Sequence, residues 1–495
     1  MPVKKSRKPS AKAPKSARSA KKPSRASKTV KAARAAKVSK SAKVSKVAKV
    51  SKASKPAGNP ATNQRAIAAL SACERTARER FLLEITSLPT AAGREERVIE
   101  AIERWVDARK DRLVLARDAY GNLTVARHDF LEACVRGARA GVKPVMITAH
   151  LDHPAFVVTA VRAVGRGTGL RVELDLEFRG GVNDPYFKGA ELEVFDRETA
   201  RSFDARITAL DAATDPATKP FKTVVARLAK PAAAQHIAPG SIARWRFPKP
   251  QVRAEVKKGL AHTHACDDLA ALAAALVAFD AISRDPASAH VALLFTRSEE
   301  IGFIGAIGAA RIGTVPAGAR LVCLENSRSF PHDSPIGAGP IVRVGDRLSV
   351  FTPELTNRIG DIAAAHAKAN PSFRFQRKLM PGGACEATAF ASFGIASTCV
   401  CLPLGNYHNM QDIDGVAAGK AKAKVGREFI SVDDFHGLVE LLEVVARRLD
   451  DPAVAAGHRA LMDTLWSRHA RIVGGGVPAA ATTPAASTTP AGGTR

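Results

Sequence analysis

An α/β fold is what this 495-residue sequence predicts: a mostly parallel sheet flanked by helices, a mostly β domain inserted into it, and a disordered tail at each end. Three observations lead there. Short apolar runs (LTVAR, VMITA, HVALLFT, RLVCL, STCVCL) alternate with segments of helical period, the pattern of strands joined by crossover helices. Residues 155–261 break that rhythm with period-2 alternation (LRVELDLEF, ELEVF, ARITAL, KTVVARLA) and Gly and Pro punctuation. The two ends are too biased in composition to bury a core.

Residues 1–60 are the first element, built almost entirely from Lys, Ala, Ser, Arg, Val and Pro. They hold 20 of the 75 Lys and Arg and no Asp or Glu, so the rest of the chain carries 55 basic against 47 acidic residues, +8 of the total +28. The basicity belongs to the tail. It reads as a solubilising polycation, a salt-sensitive tether to nucleic acid or another polyanion, or a targeting presequence.

Residues 61–154 open the α/β domain with amphipathic helices over 64–108, then LTVAR and VMITA. Residues 155–261 are the inserted β domain, and 262–472 complete the α/β domain. Residues 473–495, rich in Gly, Ala, Thr and Pro with a single charge, form a second flexible extension.

Composition narrows the function classes. With 46% apolar residues the chain can bury more than one core. No run approaches the roughly 18 apolar residues of a spanning helix, and no apolar signal core opens the sequence, so a cytoplasmic protein without a membrane span is expected. Seven scattered cysteines without a CxxC pair argue for a reducing compartment, and against a disulfide framework or a structural zinc finger.

Four of the short strands run into metal-type residues: VMITA into His150 and Asp152, HVALLFT into Glu299 and Glu300, RLVCL into Glu325, and STCVCLPL into the loop of His408. The carboxyl ends of parallel strands lie along one edge of a sheet, so these residues are expected to converge. Asp267 joins them from the start of a helix. Mixed His and carboxylate groups without thiolate suit Zn²⁺ or a similar divalent ion in an open catalytic site. Two ions ~3.5 to 4 Å apart, sharing a carboxylate, would polarise a carbonyl and activate a water. Glu299, pointing away from its neighbour Glu300, is left to take that water's proton.

ITAHLDHPAF (147–156), the CDD of 266–268, FTRSEEIGFIGA (295–306), CLEN (323–326) and PLGNYHN (403–409) resemble the dinuclear metallo-aminopeptidases of the glutamyl aminopeptidase and tetrahedral aminopeptidase family. LLEITSLPTAAGREERVIEAI and DAYGNLTVAR are similar to that family's opening helices and Asp-x-x-Gly-Asn strand, and the likeness spans roughly residues 64–450. The 117 residues from His150 to Asp267 accommodate the β domain that this family inserts there. Aspartyl aminopeptidases insert at the same place and remain a competing reading, beside a deacylase or an inactive peptidase fold tethered to nucleic acid.

The resemblance implies a homo-oligomeric enzyme that hydrolyses N-terminal residues from peptides with two metal ions, Zn²⁺ first, with Co²⁺ and Mn²⁺ as alternatives. It implies His150, Asp267 and Glu325 on one ion, and Asp267, Glu300 and His408 on the other. Asp152 would hydrogen-bond His150 and fix its tautomer. Glu299 would be general base and then acid to the leaving amine. Four places depart from the family pattern: Glu325 and Glu386 where Asp is common, His153 where a Glu follows the HxD, and a lengthened segment over 412–428. Glu386, on the Gly382-Gly383 loop, either holds the substrate ammonium group, with Gly383, or braces a metal-bound His. His262 and His264 are read as wall or loop residues, His332 and Asp333 as loop surface, and Cys266 as a small packed residue.

Overall fold

The computed structural model describes residues 70–139, 141–249, 251, 253–454 and 457–473. The expected tails, 1–60 and 473–495 beyond Val473, lie outside the described residues, and with them the expected polyanion contact.

Helix α1 (Ala72–Ile85) opens on a capping box: Ser71 Oγ accepts from the Glu74 amide while the Glu74 carboxylate takes the Ser71 amide. Helix α2 (Glu96–Asp107) turns Val98, Ile99, Ile102, Trp105 and Val106 to the core at helical spacing. Strands β1 (Leu113–Arg117) and β2 (Leu123–Arg127) form a hairpin, and α3 (Phe130–Arg139) leads to β3 (Val145–His150), buried along its whole length.

Six strands then close a barrel: β4 (Ala155–Val164), β5 (Arg171–Arg179), β6 (Glu191–Phe195), β7 (Ser202–Asp211), β8 (Lys222–Leu228) and β9 (Ile242–Trp245), in the order β4-β5-β8-β7-β6-β9. On β5 the pleat sends Val172, Leu174, Leu176 and Phe178 inward. Phe156, Phe178, Phe187 and Trp245 meet edge-on or tilted in the interior, with centroids 4.8–5.9 Å apart. The barrel therefore has a core of its own. It ends at Trp245, short of the expected 261: β10 (Glu255–Lys257) and β11 (Leu260–Thr263) instead form a hairpin that pairs with residues 428–431.

Helix α4 (Leu269–Ile282) is mostly Ala and Leu and is buried on nearly all sides. It is followed by β12 (Val291–Thr296), α5 (Ile304–Ile312), β13 (Arg320–Arg328), β14 (Ile341–Gly345), α6 (Pro353–Ala369), β15 (Gln376–Leu379), α7 (Glu386–Ser392), β16 (Ala396–Leu404), α8 (Ile413–Ala417), β17 (Glu428–Ser431), α9 (Val432–Arg448) and α10 (Gly457–His469). The large sheet has the order β1-β2-β12-β3-β13-β16-β14-β15, with β12, β3, β13 and β16 parallel at its centre. One face packs on α1, α2, α4, α6 and α9, the other on α3, α5 and α7. The central strands are covered on both faces, as their continuous apolar runs require. Among the described residues no helix is long and apolar enough to cross a membrane.

Candidate active site

The parallel register brings the first residues together. Thr296 of β12 pairs with His150 of β3, and Cys323 of β13 pairs with Thr148, so two residues further on His150 and Glu325 stand side by side. Glu325 lies within β13, which continues to Arg328, and not at its end as the apolar run suggested. Asp267 comes from the turn into α4, where Asp268 is the residue before the first helical turn. His408 follows β16 in a tight turn in which Asn406, His408 and Asn409 all have positive φ, 54°, 53° and 63°. Such conformations are uncommon outside glycine, though Asn and His are the residue types that tolerate them best.

Asp267 is the centre of the cluster. Its Oδ1 lies 3.3 Å from His150 Nε2 and its Oδ2 lies 3.3 Å from His408 Nε2. Glu300 Oε1 stands 3.4 Å from His408 Nε2, while Glu325 Oε1 and Glu299 Oε2 are 3.8 and 3.9 Å from His150 Nε2. Potential ligand atoms fall within 4.8 Å of one another in three sets: His150, Asp267, Asp268 and Glu325; His150, Glu299 and Glu300; and Asp267, Glu300 and His408. His150 Nε2, Asp267 Oδ1 and Glu300 Oε1 are buried without a hydrogen-bond partner. Buried nitrogen and oxygen atoms left unpaired and aimed at common points fit a divalent cation of the kind expected from the sequence.

The electrostatics point the same way. Burial alone would lower the pKa of His150, but Glu299, Asp152, Asp267 and Glu325 outweigh it and hold the imidazole well above its usual value. Glu300 and Asp267 do the same for His408 against its burial. Burial would raise Asp267, yet His150 and His408 hold it far below the usual carboxylate range. Glu299 is pushed well up by burial and by Glu325, Glu300 and Asp152, and Glu325 by burial and Asp267. The carboxylates outnumber the imidazoles, and positive charge in their midst would relieve the excess.

Several supporting residues differ from the sequence reading. The Asp152 carboxylate is 3.6 Å from His150 Nδ1, whose closer partner at 3.1 Å is the Asp152 carbonyl. The carboxylate instead accepts the Glu299 amide at 2.9 Å and the Glu300 amide at 3.0 Å, so it fixes the loop behind His150. His408 Nδ1 pairs with the Gly181 carbonyl of the barrel at 2.6 Å. The preceding Gly180 has φ +135°, and a Cβ there would come within 2.6 Å of Pro154.

Glu386 is 2% exposed, faces the hydroxyls of Thr148 and Thr296 inside the sheet, and is pushed by burial to about 7. Neither of its oxygens forms a hydrogen bond. Its carboxyl is thus buried near enough to His150 to feel its charge. Gly383 turns its carbonyl to the Arg347 amide and the Arg343 guanidinium, which keeps it out of the cluster. His262 packs beside Phe429 and His264 beside Phe247, neither as a ligand, and Cys266 is fully buried. His332 is exposed, and Asp333 pairs with Lys378 at 2.8 Å.

Four contributors were not singled out by sequence. Asp268 stands within the first ligand set, and the CDD doublet was its only signal. His153, noted only as a departure from the family, has Nδ1 at 2.6 Å from the Asp267 carbonyl and Nε2 at 3.1 Å from Asn409 Oδ1. Glu95 is fully buried and binds Arg297 at 2.6 Å, which anchors the start of the Glu299 loop. Glu428 accepts main-chain amides from both ligand-bearing turns.

No curated protein sequence matches the chain. Solved structures do. The TET1 peptidase of Pyrococcus horikoshii, which can assemble into a tetrahedron or a large octahedral shell, superposes with a TM-score of 0.56 at 20% identity, covering 75% of this chain and 99% of its own. A TET aminopeptidase from a marine sediment thaumarchaeon gives 0.55 at 17%, covering 77% and 98%. An aminopeptidase from Desulfurococcus kamchatkensis gives 0.54 at 17%, covering 75% and 95%. At such identities these likenesses establish the fold, a sheet domain carrying a separate antiparallel β domain. The sequence match is what establishes kinship: the M42 glutamyl aminopeptidase family model covers residues 132–421, more than half of the chain, from helix α3 to beyond His408. With every expected ligand of that stretch gathered around Asp267, the chain belongs to the M42 glutamyl aminopeptidase family.

Proposed function

We propose that this peptidase is an aminopeptidase that removes N-terminal residues from peptides with the help of two divalent ions, Zn²⁺ in the first instance. The observation that carries the reading is the two-sided Asp267, one oxygen toward His150 and the other toward His408. His150, Asp267 and Glu325 would hold one ion, and Asp267, Glu300 and His408 the other. When bound, such ions polarise the scissile carbonyl and make water a nucleophile near neutral pH.

The chain's own residues do the rest. Glu299 is a carboxylate of the cluster that the ligand assignment does not use, and its Oε2, 3.9 Å from His150 Nε2, leaves it available to take a proton and give it back. It would accept the proton of the attacking water at a carboxylate oxygen and then protonate the departing amine nitrogen as the C–N bond breaks. Asp152 holds Glu299 and Glu300 in register with His150. The barrel, through Gly181, sets the ring of His408 and walls one side of the cluster.

The shells of TET1 are the support for a homo-oligomer here. The function is tested with aminoacyl anilides and their N-acetylated forms, assayed in cytosol-like buffer. Hydrolysis of the free amines alone is expected; equal cleavage of acetylated substrates would move the protein to the deacylase or endopeptidase side.

A further inference from the structure

Strand β17 is wedged between the two turns that carry the shared ligands. On one side it pairs with β11, which leads into Asp267, with Thr263 opposite Glu428. On the other, Phe429 exchanges main-chain hydrogen bonds with Gly405 at the start of the His408 turn, at 2.9 and 3.2 Å. Glu428, the first residue of β17, has no solvent exposure. Its Oε2 accepts the amides of Cys266 at 2.7 Å and Asp267 at 3.1 Å, and its Oε1 accepts the amide of His408 at 2.8 Å. One carboxylate therefore ties together two segments that lie far apart in sequence.

Only a carboxylate suits this place. Three N–H groups converge on it, and a carboxylate offers acceptors at both oxygens and no donor. Its charge strengthens each bond, and burial raises the cost of losing one. A Gln would have to turn its NH₂ toward an amide. Because two amides face Oε2 and one faces Oε1, the Gln oxygen would stay with Cys266 and Asp267 and its NH₂ would oppose the His408 N–H.

His408 has fewer alternatives than Asp267. The Asp267 main chain is also held by His153 through its carbonyl. The His408 turn has three consecutive or near-consecutive positive-φ residues, a conformation that neighbouring contacts must impose. Its ring bond to Gly181 orients the imidazole but leaves the His408 amide to Glu428.

We infer that Glu428 is a positioning residue that fixes the spacing between Asp267 and His408, so that the ion on the His408 side depends on it far more than the ion on the His150 side. The inference rests on the two-ion reading above. It concerns binding, and it can be read without turnover.

The experiment titrates metal-free wild type and Glu428→Gln with Co²⁺, following calorimetric heat and visible absorption, with circular dichroism as a check on folding. Wild type should take two ions. The variant should keep one affinity within about threefold and lose about 10- to 100-fold on the other, the range typical for removing an outer partner of a ligand. Its kcat on an aminoacyl anilide should recover toward wild type as Co²⁺ approaches saturation, which a general structural defect would not allow. Two unchanged affinities, or two that fall equally, would overturn the inference. Should the Gln variant not fold, Glu428→Asp, whose carboxylate is drawn back by one methylene, should show the same selective loss. Failure of both variants to fold would also overturn it, because Glu428 would then be a folding element. A wild type that binds a single ion would overturn the two-ion reading itself.

Discussion

The carboxylate of Asp152 accepts the main-chain N–H of Glu299 at 2.9 Å, and its second oxygen accepts that of Glu300. The loop that bears the proposed base and a proposed ligand thus hangs from the strand end that bears His150. Asp152 itself is fully buried and forms no part of the ligand set.

Asp152→Asn should therefore loosen the loop of Glu299 and Glu300 and act on turnover more than on substrate binding. The amide keeps one acceptor and turns a donor toward the other N–H, so kcat should fall about 10- to 100-fold with KM changed far less. Steady-state kinetics beside metal analysis checks this. An Asp152→Asn enzyme with wild-type kcat would mean the loop holds its place unaided.

Glu299→Gln removes a proton acceptor and no proposed ligand. Metal content should match wild type while kcat drops by about 10²- to 10⁴-fold, as expected for loss of a general base. Near-normal kcat in a fully loaded variant would take the base assignment away from Glu299.

Glu95→Ala tests the anchor behind that loop. The side chain has 0% exposure and, besides Arg297, accepts the amides of Gly93 and Ser298 at 2.7 and 3.1 Å. Leaving Arg297 and two amides unpaired should cost about 3 kcal/mol or more. Denaturant unfolding of the metal-free protein measures it; a change below about 1 kcal/mol would show that solvent reaches Arg297 readily.

What the sequence made legible follows from how directly each feature shows in residue types. Apolar runs ending in His150, Glu299, Glu300 and His408 could be read because parallel strands deliver their ends to one edge. Asp152 was recognisable, but its partners are main-chain amides of Glu299 and Glu300, and an amide leaves no mark in a sequence. The same holds for Glu428, separated from His408 by the segment through α8 and serving three amides at once. Period 2 marked the barrel strands, yet pattern alone carries neither the order β4-β5-β8-β7-β6-β9 nor the pairing of β11 with β17. Glu386 keeps two readings in the sequence because a residue beside a Gly-Gly loop carries no mark of its burial, which comes from its place at the start of α7.

Metal should stabilise the fold more as pH rises. His150 and His408 have raised pKa values in the metal-free protein, so their contribution is full below the ordinary imidazole pKa of about 6.5 and is lost as pH climbs through the raised values. Glu299 and Glu325 are raised as well, so the folded state also loses stability as they ionise. Asp267, lowered, acts oppositely, but only under strongly acidic conditions. Bound cations remove the repulsion and require deprotonated ligands. The gain in Tm on adding Zn²⁺ should be larger at about pH 8 than at about pH 5.5; a gain that shrinks with pH would contradict this.

The central claim, two ions sharing Asp267 in an aminopeptidase site, is tested most directly by restoring chelated enzyme with measured equivalents of Zn²⁺ while following release of the N-terminal residue from an unblocked dipeptide. The account predicts no activity after chelation, and recovery that is complete only at two equivalents per chain. Full activity in the chelated protein, or full recovery at one equivalent, would contradict it.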